Sequence, residues 1–176
     1  MKSVKVAIIT LAFISSSVYA NGQSLVIPIA PKPIMLGTQA TWKDSRDSKI
    51  TKQDVDYSCG ASSLSTILTY FYQHPKTEQQ ILDDMALDDV MASFADLASV
   101  SEKYGYTARG MTMDYDTLAK IKIPAIVYVN HKRSDHFSVV RAIDKQNVYL
   151  SDSSWGNRTL TKKQFERLWL TTDNHT

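Results

Sequence analysis

The hydrophobic pattern of this chain changes its period after Gly105, and that change constrains the fold more than any other feature. Apolar residues recur at helical spacing over residues 59–72, 77–85 and 91–104. They then form strand-like runs over residues 123–129, 136–143 and 148–152, which short polar turns join into antiparallel neighbours. Helices first and strands second predict an α+β domain, with N-terminal helices packed on a C-terminal antiparallel sheet.

Shorter elements are also predicted. Residues 106–111 alternate like a strand, residues 116–121 form a short helical segment, and residues 158–160 form a strand. Thr161 opens a last helix that runs to Leu168, and Thr77 with Gln80 forms a capping box at the start of the second helix. The polar residues 38–48 predict a loop.

The first twenty residues have the features of a secretory signal peptide. Lys2 and Lys5 precede an apolar run over residues 6–14, and Val18-Tyr19-Ala20 is an A-x-A-like cleavage site. The apolar run is about half the ~20 residues of a membrane-spanning helix, which makes a membrane anchor the weaker alternative. We therefore expect cleavage after Ala20 and a periplasmic or secreted protein.

Residues 21–48 would form a proline-containing arm and loop ahead of the folded domain. Three prolines lie within residues 25–34, and proline excludes a helix and restricts a strand to a sheet edge. The segment from Leu25 to Ile34 is too apolar for a simple spacer. We expect it to lie against the domain or against a protein partner.

Charge and motifs argue against several classes of ligand. The formal charge of +2 falls to zero once Lys2 and Lys5 are removed, so nucleic acid and anionic membranes are not expected partners. The phosphate-loop pattern G-x-x-x-x-G-K-[ST] is missing, so no ATP site is expected. No cofactor or metal is expected either, because the acidic residues do not have EF-hand spacing and predict a solvated face. These residues are Asp83, Asp84, Asp88 and Asp89.

The single cysteine, Cys59, begins the first predicted helix. A helix N-terminus favours a thiolate over a thiol, which is where a nucleophilic cysteine is useful. A small buried hydrophobe is the alternative interpretation of a lone cysteine. The surrounding sequence favours a nucleophilic role for Cys59, because Gln53 lies six positions upstream, where its amide could face the same site.

A histidine and an aspartate complete the candidate site. His136 opens one predicted strand and Asp152 ends the next, and antiparallel neighbours bring these two positions together. His136 would accept the proton of Cys59 or pair with its thiolate, and Asp152 would orient the ring. Gln53 and the Cys59 backbone N–H would bind the oxyanion. We expect the four groups to face one hollow that a substrate can reach.

Two other histidines are alternative candidates for the base. His131 lies five residues before His136 in a predicted loop and remains open as an alternative. His74 follows the first helix, where an interaction with the helix dipole is the simpler explanation.

Three motifs together resemble the bacteriocin-processing cysteine peptidases, cysteine peptidase family thirty-nine, whose fold is papain-like. They are Gln53-x5-Cys59-Gly60-x-Ser62, the strand at residues 136–140 and Asp152-x3-Gly156, and the resemblance covers about residues 50–169. It implies a nucleophile at Cys59, a base at His136, an orienting acid at Asp152 and an oxyanion-binding amide at Gln53. The peptidase domain would occupy residues 49–172.

Members of that family are often fused to a transporter with an ATPase, and cut leader peptides after a double glycine. This chain departs from them in its signal peptide and in Ser153, where the family commonly has proline. The expected function is a stand-alone exported endopeptidase that hydrolyses peptide bonds through an acyl-thioester on Cys59. The alternatives are a non-catalytic domain that binds an exported peptide or pilus-like subunit, and a site that transfers acyl groups or cleaves cell-wall peptides.

Overall fold

A computed structural model describes residues 41–87, 90–131 and 134–169, and the backbone of residues 19–20 and 23–24. The chain divides into two compact units, residues 1–39 and 40–176. In the first unit, β1 (Tyr19–Ala20) pairs antiparallel with β2 (Gln23–Ser24). Most of the predicted signal peptide and all of the arm from Leu25 to Ile34 fall outside the described residues. No helix in the described ranges is long and apolar enough to cross a membrane.

The second unit combines helices with a four-stranded sheet. Its helices are α1 (Trp42–Asp47), α2 (Cys59–Tyr70), α3 (Glu78–Met85), α4 (Phe94–Lys103), α5 (Tyr115–Leu118) and α6 (Lys162–Trp169). Its strands are β3 (Ala125–His131), β4 (Ser134–Ile143), β5 (Asn147–Asp152) and β6 (Gly156–Thr161). The strands are antiparallel in the order β3-β4-β5-β6. The predicted α+β class, with an antiparallel sheet after the main helices, is confirmed.

Side-chain caps fix where several helices begin. Thr77 and Gln80 form the predicted reciprocal capping box at α3, with hydrogen bonds of 3.1 and 3.0 Å. The start of α2 is different, because its N-cap residue Ser58 makes no side-chain cap. Ser58 Oγ donates instead to the carbonyl oxygen of Val55 at 2.7 Å. The N-cap side chain therefore leaves the first N–H groups of α2, next to Cys59, available to another acceptor.

Successive strand residues divide between two apolar clusters, which gives the sheet a packed layer on each face. Phe137 belongs to the cluster that contains the buried side chains of α2, α3 and α4, and Tyr128 packs against it. Val127 and Val129 belong to the second cluster, which contains Phe165 of α6. The prediction that N-terminal helices cover the sheet is therefore confirmed, and the C-terminal helix covers the other face.

Small residues let the start of α2 approach the sheet closely. Residues 59–68 of this helix are all buried. A Cβ atom added at Gly60 would come within 3.3 Å of Ala92 Cβ and of Phe137 Cδ2. The Gly-Ala-Ser-Ser sequence after Cys59 thus places the cysteine against β4.

Three local predictions were wrong. Residues 42–47 form α1 rather than a loop, because Thr41 and Asp44 make a reciprocal capping box. Residues 106–111 do not form a strand. The N–H of Tyr106 donates instead to Ser101 O at 3.0 Å, which ties the start of this segment to the C-terminal end of α4. The backbone of His131 belongs to β3 rather than to a loop, and β4 begins two residues before His136.

Candidate active site

Cys59 is the first residue of α2, as the sequence predicted. Its sulfur accepts a hydrogen bond from the backbone N–H of Phe137 in β4, at an N···S distance of 3.5 Å. Phe137 follows His136 directly, so this contact brings the sulfur beside the histidine. The helix N-terminus and the strand therefore converge on the thiol.

His136 and Asp152 meet across neighbouring strands. The antiparallel pairing of β4 with β5 places the start of the first near the end of the second, as the hairpin argument predicted. His136 Nε2 lies 3.2 Å from Asp152 Oδ1. The Cys59 side chain also interacts with the ring, since it acts to raise the pKa of His136. Since Nε2 faces the carboxylate, Nδ1 is the nitrogen available to the sulfur.

The contacts of His136 set its charge. Burial alone would lower its pKa, but the hydrogen bonds to Asp152 and Cys59 oppose this effect and raise the pKa to about 9. Burial likewise acts to raise the pKa of Asp152, yet the hydrogen bond and charge of His136 hold it below the ordinary value. Near neutral pH the site therefore holds an imidazolium beside a carboxylate.

Two backbone N–H groups fix the Asp152 carboxylate. Those of Ser154 and Trp155 donate to Oδ1 at 3.0 and 2.9 Å, so the loop after β5 folds back on the acid. Gly156 closes this loop with a φ of +87°. A Cβ atom there would meet Arg46 Cγ at 2.7 Å and Arg46 O at 2.9 Å. Both the backbone conformation and α1 thus require glycine four positions after the acid.

Gln53 lies in the loop before α2 and contacts the loop after Asp152. Its Oε1 accepts hydrogen bonds from Ser153 Oγ at 2.8 Å and Ser154 Oγ at 2.7 Å. Its Nε2 donates to the carbonyl oxygen of Val55 at 3.1 Å. The same carbonyl accepts from Ser58 Oγ, and Ser58 immediately precedes Cys59. All four predicted site residues are therefore linked through adjoining loops and elements.

The other histidines and the acidic residues occupy different positions. His74 lies beyond the last turn of α2, where its Nδ1 is 3.3 Å from Tyr106 Oη. The structure describes only the backbone of His131, whereas the ring of His136 contacts both candidate partners. Among the residues that the structure describes, no group of histidine, cysteine and acidic side chains could hold a metal ion. Asp88 and Asp89 lie outside the described residues.

Access to the sulfur differs from the expectation. The sequence predicted an open hollow, but Cys59 is 1% exposed, His136 is 9% exposed and Asp152 is 1% exposed. A groove of about 1100 Å³ lies elsewhere, with Tyr70 and Phe71 from the C-terminal end of α2 in its lining. The expectation was wrong because the closeness of α2 to β4 depends on packing between distant segments.

Sequence reasoning also missed the hydrogen bonds of Ser153 and Ser154. In the sequence, Ser153 stands out only because the family that the chain resembles commonly has proline at this position. Its partner Gln53 is 100 positions away, so no local pattern could have revealed the contact.

Comparison with known proteins identifies the family. Residues 47–173 match the Peptidase C39 family model. A curated relative from Pseudomonas fluorescens, named "Probable functional amyloid protease FapD", is 31% identical over 134 residues, or 72% of this chain. The chain spans 59% of the length of the Pseudomonas relatives that it matches.

Solved structures support the fold. A double glycine motif protease from an AMS/PCAT transporter, solved with its leader peptide, has a TM-score of 0.61 and 23% identity, covering 68% of this chain and 84% of that one. The peptidase domain of Streptococcus ComA, a bi-functional ABC transporter, has a TM-score of 0.62 and 19% identity, covering 68% and 90%. These similarities confirm the predicted papain-like peptidase fold. With the match over residues 47–173, they show that this chain belongs to the peptidase C39 family of cysteine peptidases.

Proposed function

We propose that this protein is an exported cysteine endopeptidase that hydrolyses peptide bonds through an acyl-thioester on Cys59. The observation that carries the proposal is the His136 ring, which contacts Cys59 and also bonds Asp152 at 3.2 Å. A general base that meets a nucleophile on one side and an orienting carboxylate on the other is the arrangement that acyl transfer requires. Family membership supports the same chemistry.

Each residue has a defined step in this mechanism. The Cys59 thiolate attacks the carbonyl carbon of the scissile bond, and the oxygen takes up negative charge. The Cys59 N–H and the Gln53 Nε2 amide stabilise that oxyanion. The His136 imidazolium then gives its proton to the leaving amine, and the C–N bond breaks to leave the acyl-thioester.

Hydrolysis of the thioester completes the cycle. Neutral His136 takes a proton from water as the water attacks the thioester carbonyl, and the thiolate leaves. The product acid departs and the imidazolium is restored. Asp152 remains a carboxylate throughout, because its task is to hold the ring and stabilise its charge.

The names of the relatives and the signal-peptide pattern of this chain support a proposal for the substrate class. The Pseudomonas relatives are named as probable functional amyloid proteases, and a structural neighbour as a double glycine motif protease. Together with the signal-peptide pattern of residues 1–20, they support a peptide or protein substrate in the exported compartment, with a Gly-Gly pair as the first sequence to test. The apolar segment from Leu25 to Ile34 is the proposed contact for a protein partner.

Peptide cleavage by the full chain tests this proposal. Quenched-fluorescence peptides, one set with a central Gly-Gly pair and one set of random sequence, would be incubated with wild type and with Cys59→Ala. We expect cleavage by wild type and its loss in the variant. Equal cleavage by the two proteins, or none by wild type after treatment with a thiol reductant, would contradict a cysteine peptidase.

Export is tested separately. Cell fractionation and N-terminal sequencing of the mature protein should find it outside the cytoplasm, beginning at Asn21. A protein found in the cytoplasm with an intact N-terminus would contradict the proposed export, but not the proposed peptidase activity.

A second candidate function is peptide binding without cleavage. The 1% exposure of Cys59 favours it, because a substrate carbonyl must reach the sulfur before any chemistry begins. Full biological complementation by Cys59→Ala, with capture of one exported partner, would support binding over cleavage. Acyl transfer to an amine and cleavage of cell-wall peptides use the same acyl-enzyme, and mass spectrometry of the products would distinguish them from hydrolysis.

A further inference from the structure

We propose that Ser153 and Ser154 are positioning residues that hold the Gln53 amide in the orientation required to bind the oxyanion. The inference rests on the proposed peptidase function and concerns how this chain prepares its site. Both hydroxyls donate to one atom, Gln53 Oε1, at 2.8 and 2.7 Å. Ser153 is 2% exposed, so water competes little with this contact. Because a hydroxyl can also accept a hydrogen bond, the two serines fix the position of this end of the amide, and its orientation needs a further partner that cannot donate.

The carbonyl of Val55 completes the orientation. It accepts a hydrogen bond from Gln53 Nε2 at 3.1 Å. If the amide turned by half a rotation, Oε1 would face this carbonyl oxygen, and two acceptors at that distance repel each other. The amide nitrogen carries two hydrogens, and Val55 takes one of them. The second is the donor that the serines keep available for the oxyanion.

Backbone and lysine contacts tie the same two loops together. The Gln53 N–H donates to Ser153 O at 3.3 Å, and Lys52 Nζ donates to Ser154 O at 2.7 Å. The Ser154 N–H also bonds Asp152 Oδ1. One short loop therefore orients the acid and the amide together. Such coupling matters because a misplacement of 1 Å can reduce turnover by about 10².

The hydroxyl contacts depend on the residue type at position 153. A proline at the position of Ser153 has no hydroxyl and could not donate to Gln53 Oε1. In this chain the side-chain hydrogen bonds of the serine pair therefore hold the amide.

Kinetics in two backgrounds test the role. Ser153→Ala with Ser154→Ala should lower kcat about 10-fold while KM stays within about twofold, since two hydroxyl bonds of ordinary strength are lost. The same pair of changes in a Gln53→Ala protein should have little further effect, because the group that the serines position is already missing. Gln53→Ala alone should cost about 10²–10³ in kcat. An equal loss in both backgrounds, or none in the wild-type background, would overturn the proposal.

Two control variants separate orientation from general damage. Ser151→Ala removes a nearby buried hydroxyl that donates to Asn157 Oδ1 at 3.2 Å rather than to Gln53. It should leave kcat unchanged. Ser154→Thr keeps a hydroxyl, and should retain most of the activity that Ser154→Ala loses.

A measurement on the free protein makes the test independent of any substrate. Nitrogen-15 relaxation of the Gln53 side-chain NH₂ should report an ordered amide in wild type and in Ser151→Ala, and a mobile one in the double serine variant. An amide that stays equally ordered without the serines overturns the proposal whatever the activity. An amide that depends on the serines, in a protein that cleaves no peptide, supports the positioning role and contradicts only the peptidase function.

Discussion

The two ends of α2 have opposite surroundings. At the N-terminal end, Cys59 is 1% exposed and contacts the His136 ring and the Phe137 N–H. At the C-terminal end, Tyr70 and Phe71 are 43% and 39% exposed and line the groove of about 1100 Å³. The candidate chemistry and this groove are therefore at different places on one helix.

This difference shows that the candidate catalytic residues need not lie in an open groove. Fixed charges and hydrogen bonds act more strongly where water is excluded, so the closed end is suited to ion pairing and to oxyanion binding. The open end offers apolar and aromatic surface but none of the four candidate catalytic residues. A substrate can therefore reach the sulfur only if the residues that bury Cys59 move. The groove itself can provide only contacts away from the reacting atoms.

The largest expected effect is at the closed end. Asp152→Asn should lower kcat by about 10²–10⁴, because the ring loses both its orientation and the charge that stabilises the imidazolium. Phe71→Ala, at the open end, should change kcat by no more than about twofold, as expected for a surface position away from the chemistry. Steady-state kinetics with a cleaved reporter peptide would measure both. A larger loss from Phe71→Ala than from Asp152→Asn would reverse the assignment of the two ends.

The loop that holds Asp152 depends on Gly156. Gly156→Ala should lower the free energy of unfolding by about 2–4 kcal/mol, from left-handed strain together with the clash against Arg46. Gly105→Ala is the matched control, since its φ of +83° is similar but no atom lies within 4 Å of the added Cβ. It should cost only the strain, about 1–2 kcal/mol. If urea unfolding gave equal losses of unfolding free energy for the two variants, the contact of Gly156 with α1 would not contribute to stability.

The charge of His136 should make stability depend on pH. Because its folded pKa is about 9, above the ordinary 6.5, the stabilisation is fully present below pH 6.5 and is lost as pH rises through 9. The loss should be no more than about 3 kcal/mol. Unfolding free energies of wild type and His136→Gln should therefore converge between these pH values. A difference that stays constant over this range would contradict the raised pKa.

Activity should also be bell-shaped in pH, because His136 must give a proton to the leaving amine and later take one from water. The pH dependence of kcat/KM measures this. A rate that rises steadily into the alkaline range would show that the thiol is not paired with an imidazolium.

The smallest expected effect comes from hydroxyls within α2. Ser63 Oγ is buried without a hydrogen-bond partner in the part of the chain that the structure describes. Ser63→Ala should raise the free energy of unfolding by about 0.5–1.5 kcal/mol, because alanine leaves no unpaired group and favours a helix. Ser65→Ala should lower it by a similar amount, since Ser65 Oγ donates to Lys76 O at 2.6 Å. Thermal or urea unfolding compares the two, and a destabilised Ser63→Ala would mean that its hydroxyl has a partner.

Local patterns explain which parts of this account were predictable. Cys59 was predictable because helical periodicity begins there, and His136 and Asp152 because a hairpin brings two strand ends together. Thr41 and Asp44 form a capping box that marks the start of α1. The signal was weak in the sequence, because glutamate or glutamine is the usual residue three positions after the N-cap. The 100-residue separation of Gln53 from Ser153 left no such local signal.

The closure of the site was also beyond sequence reasoning. It depends on Gly60 lying against Ala92 and Phe137, three residues from separate segments of the chain. Periodicity gives the buried face of each element but not the distance between two elements. That distance decides whether a thiol is open or covered.

Detection of the acyl-enzyme tests the central claim most directly. A cleaved reporter peptide would be mixed with the full chain, quenched in acid within the first turnover, and the protein measured by intact-mass and peptide-mapping mass spectrometry. The account predicts that the acyl fragment is attached to Cys59 in wild type and missing in Cys59→Ala, which should also release no product. Cleavage that continues in Cys59→Ala, or an acyl group on any other residue, would contradict it.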